Sequence, residues 1–580
     1  CSIIGRPQIL AMGLPGRRDE AILAGMIPVI LASTGVGKTF LAAGILSKLS
    51  DWRLTYFICP GKKAQDRISK ILSTCGFNVL KIVGMNEFAC PITNTKMIDK
   101  IVPCMKVRRG LEKKYEGHYC PEKRDPKIIS TISEGGSGEV FEINTFMGKR
   151  VFLFENAPCP YYAQFMQLYT NFVNNEQTVV VINDKAFTAN IHRLPIPDFV
   201  VFDEFDIELF DHVEKLIGIE DIKYVMKILK KVEDPYAEVL YKRLLLLYML
   251  MENGRLRHTE LREGVESVLD TYEFICKKEL DEFGEFCDFS KLVKNLKARD
   301  SMQCRYLRDG KVISVAIPRL KLIDFVLKKV GQGVLLTATP PTDEEIRLFM
   351  SNTMDKLAVI DKGKKLLGKA ILHIDSMNLL GRLTYSDFFK YVRALEEGER
   401  EKALELKTRW IMSIYQLVEK APKPTFVPLH HVKPFLPWLR EVSQELPNVS
   451  KLLNYVATST LNRHLVTKFI ESEGRDPPVL ITTLIHRTES LEFVNSIVFP
   501  KVPRPFIGRG YLTYIYNIRG EAGYRITYDS LTKRTAIQML GRVLRNPEKH
   551  VHVYTPDQDM INLLNELKEE GWLDMEIVRE

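Results

Sequence analysis

Directly after the apolar run Ile27–Leu31, residues Ala32 to Thr39 read A-S-T-G-V-G-K-T, and the helical run Phe40–Leu46 follows. That order suits a phosphate. Small residues let the backbone N–H groups of Ser33, Thr34, Gly35, Val36 and Gly37 turn inward on an anion, while the helix starting near Lys38 presents its positive end. Lys38 would reach the β- and γ-phosphates of a nucleotide and Thr39 would ligate Mg²⁺. The bland alternative is an ordinary glycine-rich turn, which the strand before and the helix after argue against.

Two further groups have types that complement a nucleotide. The buried-looking run Asp198–Phe202 ends in Asp203-Glu204-Phe205-Asp206, and the carboxyl end of a parallel strand is where α/β folds place ligand chemistry. Asp203 would hold Mg²⁺ and Glu204 would polarise the attacking water; alone, the stretch could equally be an acidic turn. Far downstream, Gln538, Arg542 and Arg545 recur at i, i+4 and i+7, on one helix face, where amide and guanidinium donors suit a terminal phosphate. A surface amphipathic helix is the alternative, weakened by the lack of balancing carboxylates. Gln8 is a weak candidate for reading an adenine edge, since an amide both donates and accepts.

Between the first two groups lie Cys90, Cys104, Cys120 and Cys159. In a cytoplasmic setting such a group is metal-binding or redox-active before it is disulfide-bonded, and four cysteines accept either zinc or an iron–sulfur cluster. Basic residues from Lys106 to Lys127 interleave with Tyr115 and Tyr119. That mixture suits a single-stranded backbone with stacked bases, or else a solvated charged face.

These side chains need elements to hold them. The 580 residues are too many for one core and suggest roughly four units of about 150 residues. Apolar content of 45%, charged content of 27% and a net charge of +9 are those of an ordinary globular protein in which any nucleic-acid surface is local. No apolar run approaches the roughly 20 residues of a membrane span, and no signal peptide is visible, so a cytoplasmic location is expected. Cys1 in place of Met leaves the true N-terminus open. Leu54–Cys59, Thr178–Asn183, Asp198–Phe202 and Gly333–Thr337 read as buried parallel strands, with a helix over Lys63–Leu72. From about Val83 to Pro160 the pattern breaks into an irregular charged insert, and from about Ile207 to Ala316 into a predominantly helical one. Helices including Tyr385–Lys420 open the second half, followed by strands near Pro424–Leu429, Val479–Leu484, Ser496–Phe499 and His550–Tyr554 and a helix over Gln558–Lys568. The expected fold class is α/β, with two parallel-sheet domains.

Taken in order, the motifs resemble superfamily 2 helicases and, within them, the iron–sulfur XPD/DinG-like group. A-S-T-G-V-G-K-T looks like motif I, D-E-F-D like the DEAH-type motif II, T-A-T at Thr337–Thr339 like motif III, and Q-M-L-G-R-V-L-R at Gln538–Arg545 like motif VI. Arg487–Phe493 is similar to motif V, and Gly5–Met12 resembles the group's Gln motif around Gln8. Cys159-Pro-Tyr-Tyr162 matches the context of the group's last cluster cysteine, and the cysteine spacing looks more like the XPD branch. Phe205 and Asp206 stand where the group has Ala and His, and Glu492 replaces an Asp. Such divergence is compatible with an archaeal or viral relative.

The resemblance implies two RecA-like helicase domains with an iron–sulfur insert and a helical arch insert in the first. Helicase domain 1 would comprise 1–82, 166–206 and 317–340, the cluster domain 83–165, the arch 207–316, and helicase domain 2 residues 341–580. It implies ATP, Mg²⁺ and a [4Fe–4S] cluster on Cys90, Cys104, Cys120 and Cys159. Lys38, Asp203, Glu204 and Gln538 would act with Arg542 and Arg545 as arginine fingers. The expected activity is 5′→3′ translocation on single-stranded DNA and unwinding of forked DNA by a monomer, in repair, with transcription or CRISPR partner proteins as further expectations. The location follows as cytoplasmic, nucleoid-associated in a prokaryote and nuclear in a eukaryote. The other readings are a translocase that remodels protein–nucleic acid complexes and a non-catalytic scaffold.

Overall fold

The computed structural model describes residues 26–32, 37–49, 51–96, 104, 120–132, 137–206, 210–256, 263–264, 266–268, 270–271, 274, 304–308, 312–361, 366–374, 397–429, 435–458, 461–483, 491–505 and 510–579. The chain opens with β1 (Ile27–Leu31), α1 (Lys38–Leu46), β2 (Leu54–Cys59), α2 (Lys62–Thr74) and β3 (Val79–Ile82). An insert then builds β4 (Lys127–Ile129), β5 (Glu139–Thr145), β6 (Gly148–Phe154) and α3 (Pro160–Val173) before β7 (Thr178–Asn183), α4 (Asp184–Asn190) and β8 (Phe199–Asp203). A second insert holds β9 (Phe210–Ile217), α5 (Ile219–Leu229), α6 (Pro235–Glu252), β10 (Cys304–Arg308) and β11 (Val312–Pro318). α7 (Arg319–Val330), β12 (Gly333–Thr337), α8 (Asp343–Phe349) and β13 (Leu357–Asp361) finish this half.

Seven of these strands form one parallel sheet in the order β13-β1-β12-β8-β2-β7-β3. Their continuous apolar runs have a simple cause. Side chains alternate across a strand, so Leu54, Tyr56 and Ile58 of β2 enter one core together with Val180 and Ile182 of β7 and Val200 and Phe202 of β8. Phe57, Cys59, Val179, Val181, Phe199 and Val201 enter the opposite one. With helices on both faces, every position must be apolar.

The sequence reading needs three corrections here. The segment after Val83 is not merely irregular: β4, β6 and β5 form an antiparallel sheet, with Phe141, Phe152 and Phe154 buried in the first core. The insert after β8, expected to be predominantly helical, also holds strands: β9 and β10 flank β11 in a second antiparallel sheet that brings Phe210 opposite Pro318. These partners are some hundred residues apart in sequence, so no local pattern announces them. The first sheet also runs past 340, since β13 pairs in register with β1.

The second half contains β14 (Lys369–Ile374), α9 (Arg400–Lys420), β15 (Thr425–Pro428), α10 (Phe435–Glu445), β16 (Val456–Ala457), α11 (His464–Glu471) and β17 (Val479–Thr482). It continues through β18 (Ser496–Val498), α12 (Gly510–Val543), β19 (His550–Tyr554), α13 (Gln558–Glu569) and β20 (Asp574–Arg579). The strands form a second parallel sheet in the order β16-β17-β15-β18-β19-β14-β20. α12 is interrupted at Gly520, whose φ of 69° and ψ of −165° belong to a region that side chains disfavour. Of the helix expected over Tyr385–Lys420, the part before 397 lies outside the described residues.

α12 also ties the halves together. Leu512 and Ile515 are buried in the first core, and Arg534 Nη2 reaches Glu345 of α8 at 2.8 Å and 3.1 Å. The same carboxylate closes a capping box with Thr342. Removing one partner of a buried ion pair leaves an uncompensated charge, a loss of about 3–5 kcal/mol. Arg534→Met is therefore expected to lower the urea midpoint by that equivalent and Arg534→Lys by less. Equal midpoints for all three chains would show that the pair does not hold the halves.

Candidate nucleotide site at the strand ends

β1 delivers the chain to Ala32, whose N–H donates to the Thr337 carbonyl at 3.0 Å. Gly37 precedes α1 with φ +81°, a left-handed conformation strained for any side chain. Lys38 and Thr39 follow at the start of the helix, both buried, and Lys38 Nζ donates to the Ala32 carbonyl at 3.1 Å. The lysine is thus folded against the loop where its charge faces the next strand ends. Ser33, Thr34, Gly35, Val36 and Gln8 lie outside the described residues.

β8 ends at Asp203, buried at the carboxyl edge of the sheet. Burial raises its carboxyl above the usual carboxylate range, the Glu204 charge adds to this, and Lys38, Arg67 and Arg319 oppose it. Two neighbouring acidic groups at a buried strand end favour a cation between them and a phosphate. Glu204 itself adopts φ +49°, a left-handed conformation rare for a glutamate. Beyond it, Asp206 accepts from the Thr337 hydroxyl at one oxygen and from the Thr339 hydroxyl at 2.6 Å at the other. Burial raises this carboxyl too, against the Arg534 charge and the two hydroxyls.

The second half reaches the same place. Arg542 is fully buried near the end of α12, its carbonyl accepting from Leu491 N–H at 3.0 Å. Arg545 does not share the helix face expected of it: α12 stops at Val543, and Pro547 shortly beyond disfavours a helical conformation at Asn546. Its Nε turns back to the Gly541 carbonyl at 3.1 Å. Burial lowers its pKa to about 10, with neighbouring Arg542 pushing the same way and Glu204 pulling back. Arg545 therefore stays charged at neutral pH and lies in the field of Glu204. Gln538 is half-buried on the same helix. Of the Arg487–Phe493 segment, only Leu491 to Phe493 are described.

Three residues escaped the sequence reading. Arg67 of α2 adds positive potential at both Asp203 and Arg545. Asp184, buried after β7, pairs with Arg319 at 3.0 Å. Asp184 was findable by the signal that found Asp203, an acid ending a buried parallel strand; the two arginines carried no such signal.

The cysteines lie along the first insert. Cys90 and Cys159 are buried in the first core, Cys104 packs half-buried against it, and Cys120 is buried with its N–H donating to Asp125 at 3.2 Å. Cys159 precedes α3, where Pro160 occupies the first turn. Its thiol is pushed up to about 11 by burial, against backbone N–H donors at Tyr161 and Tyr162, with Cys104 and Cys120 near enough to add to the rise. None of the four is in a disulfide. Among the described residues no three His, Cys, Asp or Glu side chains converge as ligands of one ion. What would suit a thiolate-bound group is the chemistry of the donors: Cys159 lies at a helix N-terminus with the thiols of Cys104 and Cys120 near enough to act on it. The basic and aromatic residues from 105 to 119 lie outside the described residues.

No family model matches the sequence, and no curated protein matches it. Solved structures do. An XPD helicase structure is 14% identical, with a TM-score of 0.54 and 100% of both chains covered. The structure of S. tokodaii Xpd4 is 13% identical, with a TM-score of 0.52, covering 99% of this chain and 100% of that one. At such identities the likeness concerns the fold, that of two RecA-like helicase domains.

Proposed function

We propose that the chain is an ATP-dependent DNA helicase that moves 5′→3′ on a single strand and unwinds duplex. One observation carries the reading: Glu204, next to Asp203 and near Lys38 in one sheet, lies in the electrostatic field of Arg545, which follows the second sheet's α12 beside Arg542. Opposite charges from two domains at the carboxyl edge of a strand suit an anion that binds one domain and is completed by the second.

Lys38 would hold the β- and γ-phosphates, with Thr39 and Asp203 holding Mg²⁺. When bound, the ion neutralises charge on the phosphate oxygens. Glu204 would take the proton of the attacking water. Gln538, Arg542 and Arg545 would meet the charge growing on the transferred phosphoryl group. Loss of that group removes the anion joining the halves, so the cleft would open and close once per ATP. Asp206 ties this cycle to Thr337 and Thr339, a link available for passing it to the bound strand.

We assign the insert 83–165 to a cluster domain and 207–316 to an arch, with Cys90, Cys104, Cys120 and Cys159 as ligands of a [4Fe–4S] cluster of structural role. A four-iron cluster takes one thiolate per iron, so its ligands need not converge on a point. Anaerobically purified protein is expected to be brown, with Cys120→Ser losing colour and stoichiometric iron and sulfide together. Colourless protein holding zinc would overturn the assignment. Among the described residues no helix is long and apolar enough to cross a membrane.

The test is ATP hydrolysis with and without single-stranded DNA, alongside unwinding of DNA and RNA forks of either polarity. Strand separation on forks with a free 5′ tail supports the helicase. Clearance of a streptavidin-blocked strand without unwinding would replace it by a remodelling translocase, and absence of DNA-stimulated hydrolysis by a scaffold.

A further inference from the structure

Beneath the metal-holding strand end lies a buried pair that the cycle above does not use. Arg319 and Asp184 are each about 4% exposed or less. Arg319 Nη1 donates to Asp184 Oδ2 at 3.0 Å, and Nη2 donates to the main-chain carbonyl of Asp203 at 3.3 Å. One guanidinium thus bridges the ends of β7 and β8.

Asp184 is itself fixed. Its other oxygen accepts from Lys185 N–H at 2.7 Å, and Asn183 caps the same helix by accepting from Ala186 N–H at 2.9 Å. Asn183 in turn donates to Gln65 at 3.3 Å, whose amide donates to the carbonyls of Ile82 at 2.7 Å and Val181 at 2.8 Å. A continuous polar chain therefore runs from β3 through β7 to Asp203. Burying a charge pair is poorly rewarded as stability, whereas a planar fork that grips a carboxylate and a carbonyl together fixes geometry.

The neighbours of Arg319 in the chain matter as much. It directly follows Pro318, the last residue of β11, and Pro318 pairs with Phe210, the first residue of β9. Both ends of the second insert are therefore anchored at motif II, one four residues after Asp206 and the other on the guanidinium holding Asp203. A displacement of the insert's base sheet must move one or the other.

We infer that Arg319 is the positioning residue of the Asp203 carboxylate and the link through which the 210–318 insert acts on the nucleotide site. This rests on the ATPase reading proposed above. Arg319→Lys keeps the buried charge opposite Asp184 but cannot bridge both acceptors. Mn²⁺, followed by electron paramagnetic resonance in the presence of ADP, reports the metal site directly, and ADP affinity in EDTA reports the phosphate loop alone.

Arg319→Lys is expected to weaken Mn²⁺ binding by about tenfold or more and to leave ADP affinity in EDTA unchanged. A short oligothymidylate is expected to shift the Mn²⁺ affinity of the wild-type chain and not that of the variant. If Arg319→Lys does not fold, the pair Arg319→Met with Asp184→Leu removes both charges together, and the same results are expected of it. Wild-type Mn²⁺ affinity in the folded variant overturns the positioning role. An oligothymidylate shift of equal size in both chains overturns the link to the insert. A wild-type chain that binds no ADP sinks the ATPase reading itself, an outcome readable before any variant is made.

Discussion

Arg545→Ala is expected to lower kcat for DNA-stimulated ATP hydrolysis by about 10³- to 10⁵-fold, roughly 4–7 kcal/mol of transition-state stabilisation, with nucleotide affinity nearly unchanged. Arg545 sits beside Arg542, and burial together with that like charge already lowers its pKa to about 10. Two guanidiniums crowded in a dry cleft are held at an electrostatic cost that an incoming anion relieves. Because the phosphoryl group spreads more charge over its oxygens in the transition state, the relief is greatest there and appears in kcat. Arg545 lies past the end of α12 with Nε on the Gly541 carbonyl, so its loss leaves the α12 packing in place. The Arg542 side chain is fully buried, so Arg542→Ala leaves a cavity and is expected to cost stability as well as rate. Steady-state kinetics with fluorescent-nucleotide binding separates the two. An Arg545→Ala chain that keeps kcat within threefold would remove the second domain from the chemistry, and the helicase reading with it.

The parts of this site that were legible in the sequence are those written locally. β7, β8 and β12 are covered on both faces, so each is an apolar run that ends in a polar residue, Asn183, Asp203 or Thr337, at the functional edge. β14 and β20 were missed for the opposite reason. In β20 the exposed Asp574 and Glu576 alternate with buried Met575, and in β14 Ile371 and His373 are only half-buried, so neither reads as a core strand. Pairings at long range were invisible for a different cause. Arg319 meets Asp184 across 135 residues and Arg534 meets Glu345 across 189, and neither arginine looks different from one on a surface. The cysteines stand between these cases: their number and context suggested a common site, and the fold places Cys104 and Cys120 near enough to act on Cys159.

Glu204→Gln is expected to lower kcat by about 10²- to 10⁴-fold while ATP and Mg²⁺ still bind, leaving the chain trapped with nucleotide across the closed cleft. The reason lies in how Glu204 is held. At φ +49° it pays about 1–2 kcal/mol that a glutamate avoids elsewhere, so its neighbours must hold it there. On one side Arg319 grips the Asp203 carbonyl, and on the other Asp206 is fastened to Thr337 and Thr339. Between these anchors Glu204 lies in the field of Arg545. Glutamine fits the same backbone and the same space, so the variant removes the proton acceptor together with the charge that Asp203 and Arg545 feel, without emptying the site. Asp206→Asn offers a contrast: it keeps the base but weakens the anchor, so a smaller loss of kcat is expected, with weaker coupling of hydrolysis to DNA. Rapid-quench single-turnover hydrolysis with nucleotide-binding titrations reads both variants. If Glu204→Gln hydrolyses ATP within threefold of the wild-type rate, the base is another residue, and the strained turn after β8 serves only to aim Asp203.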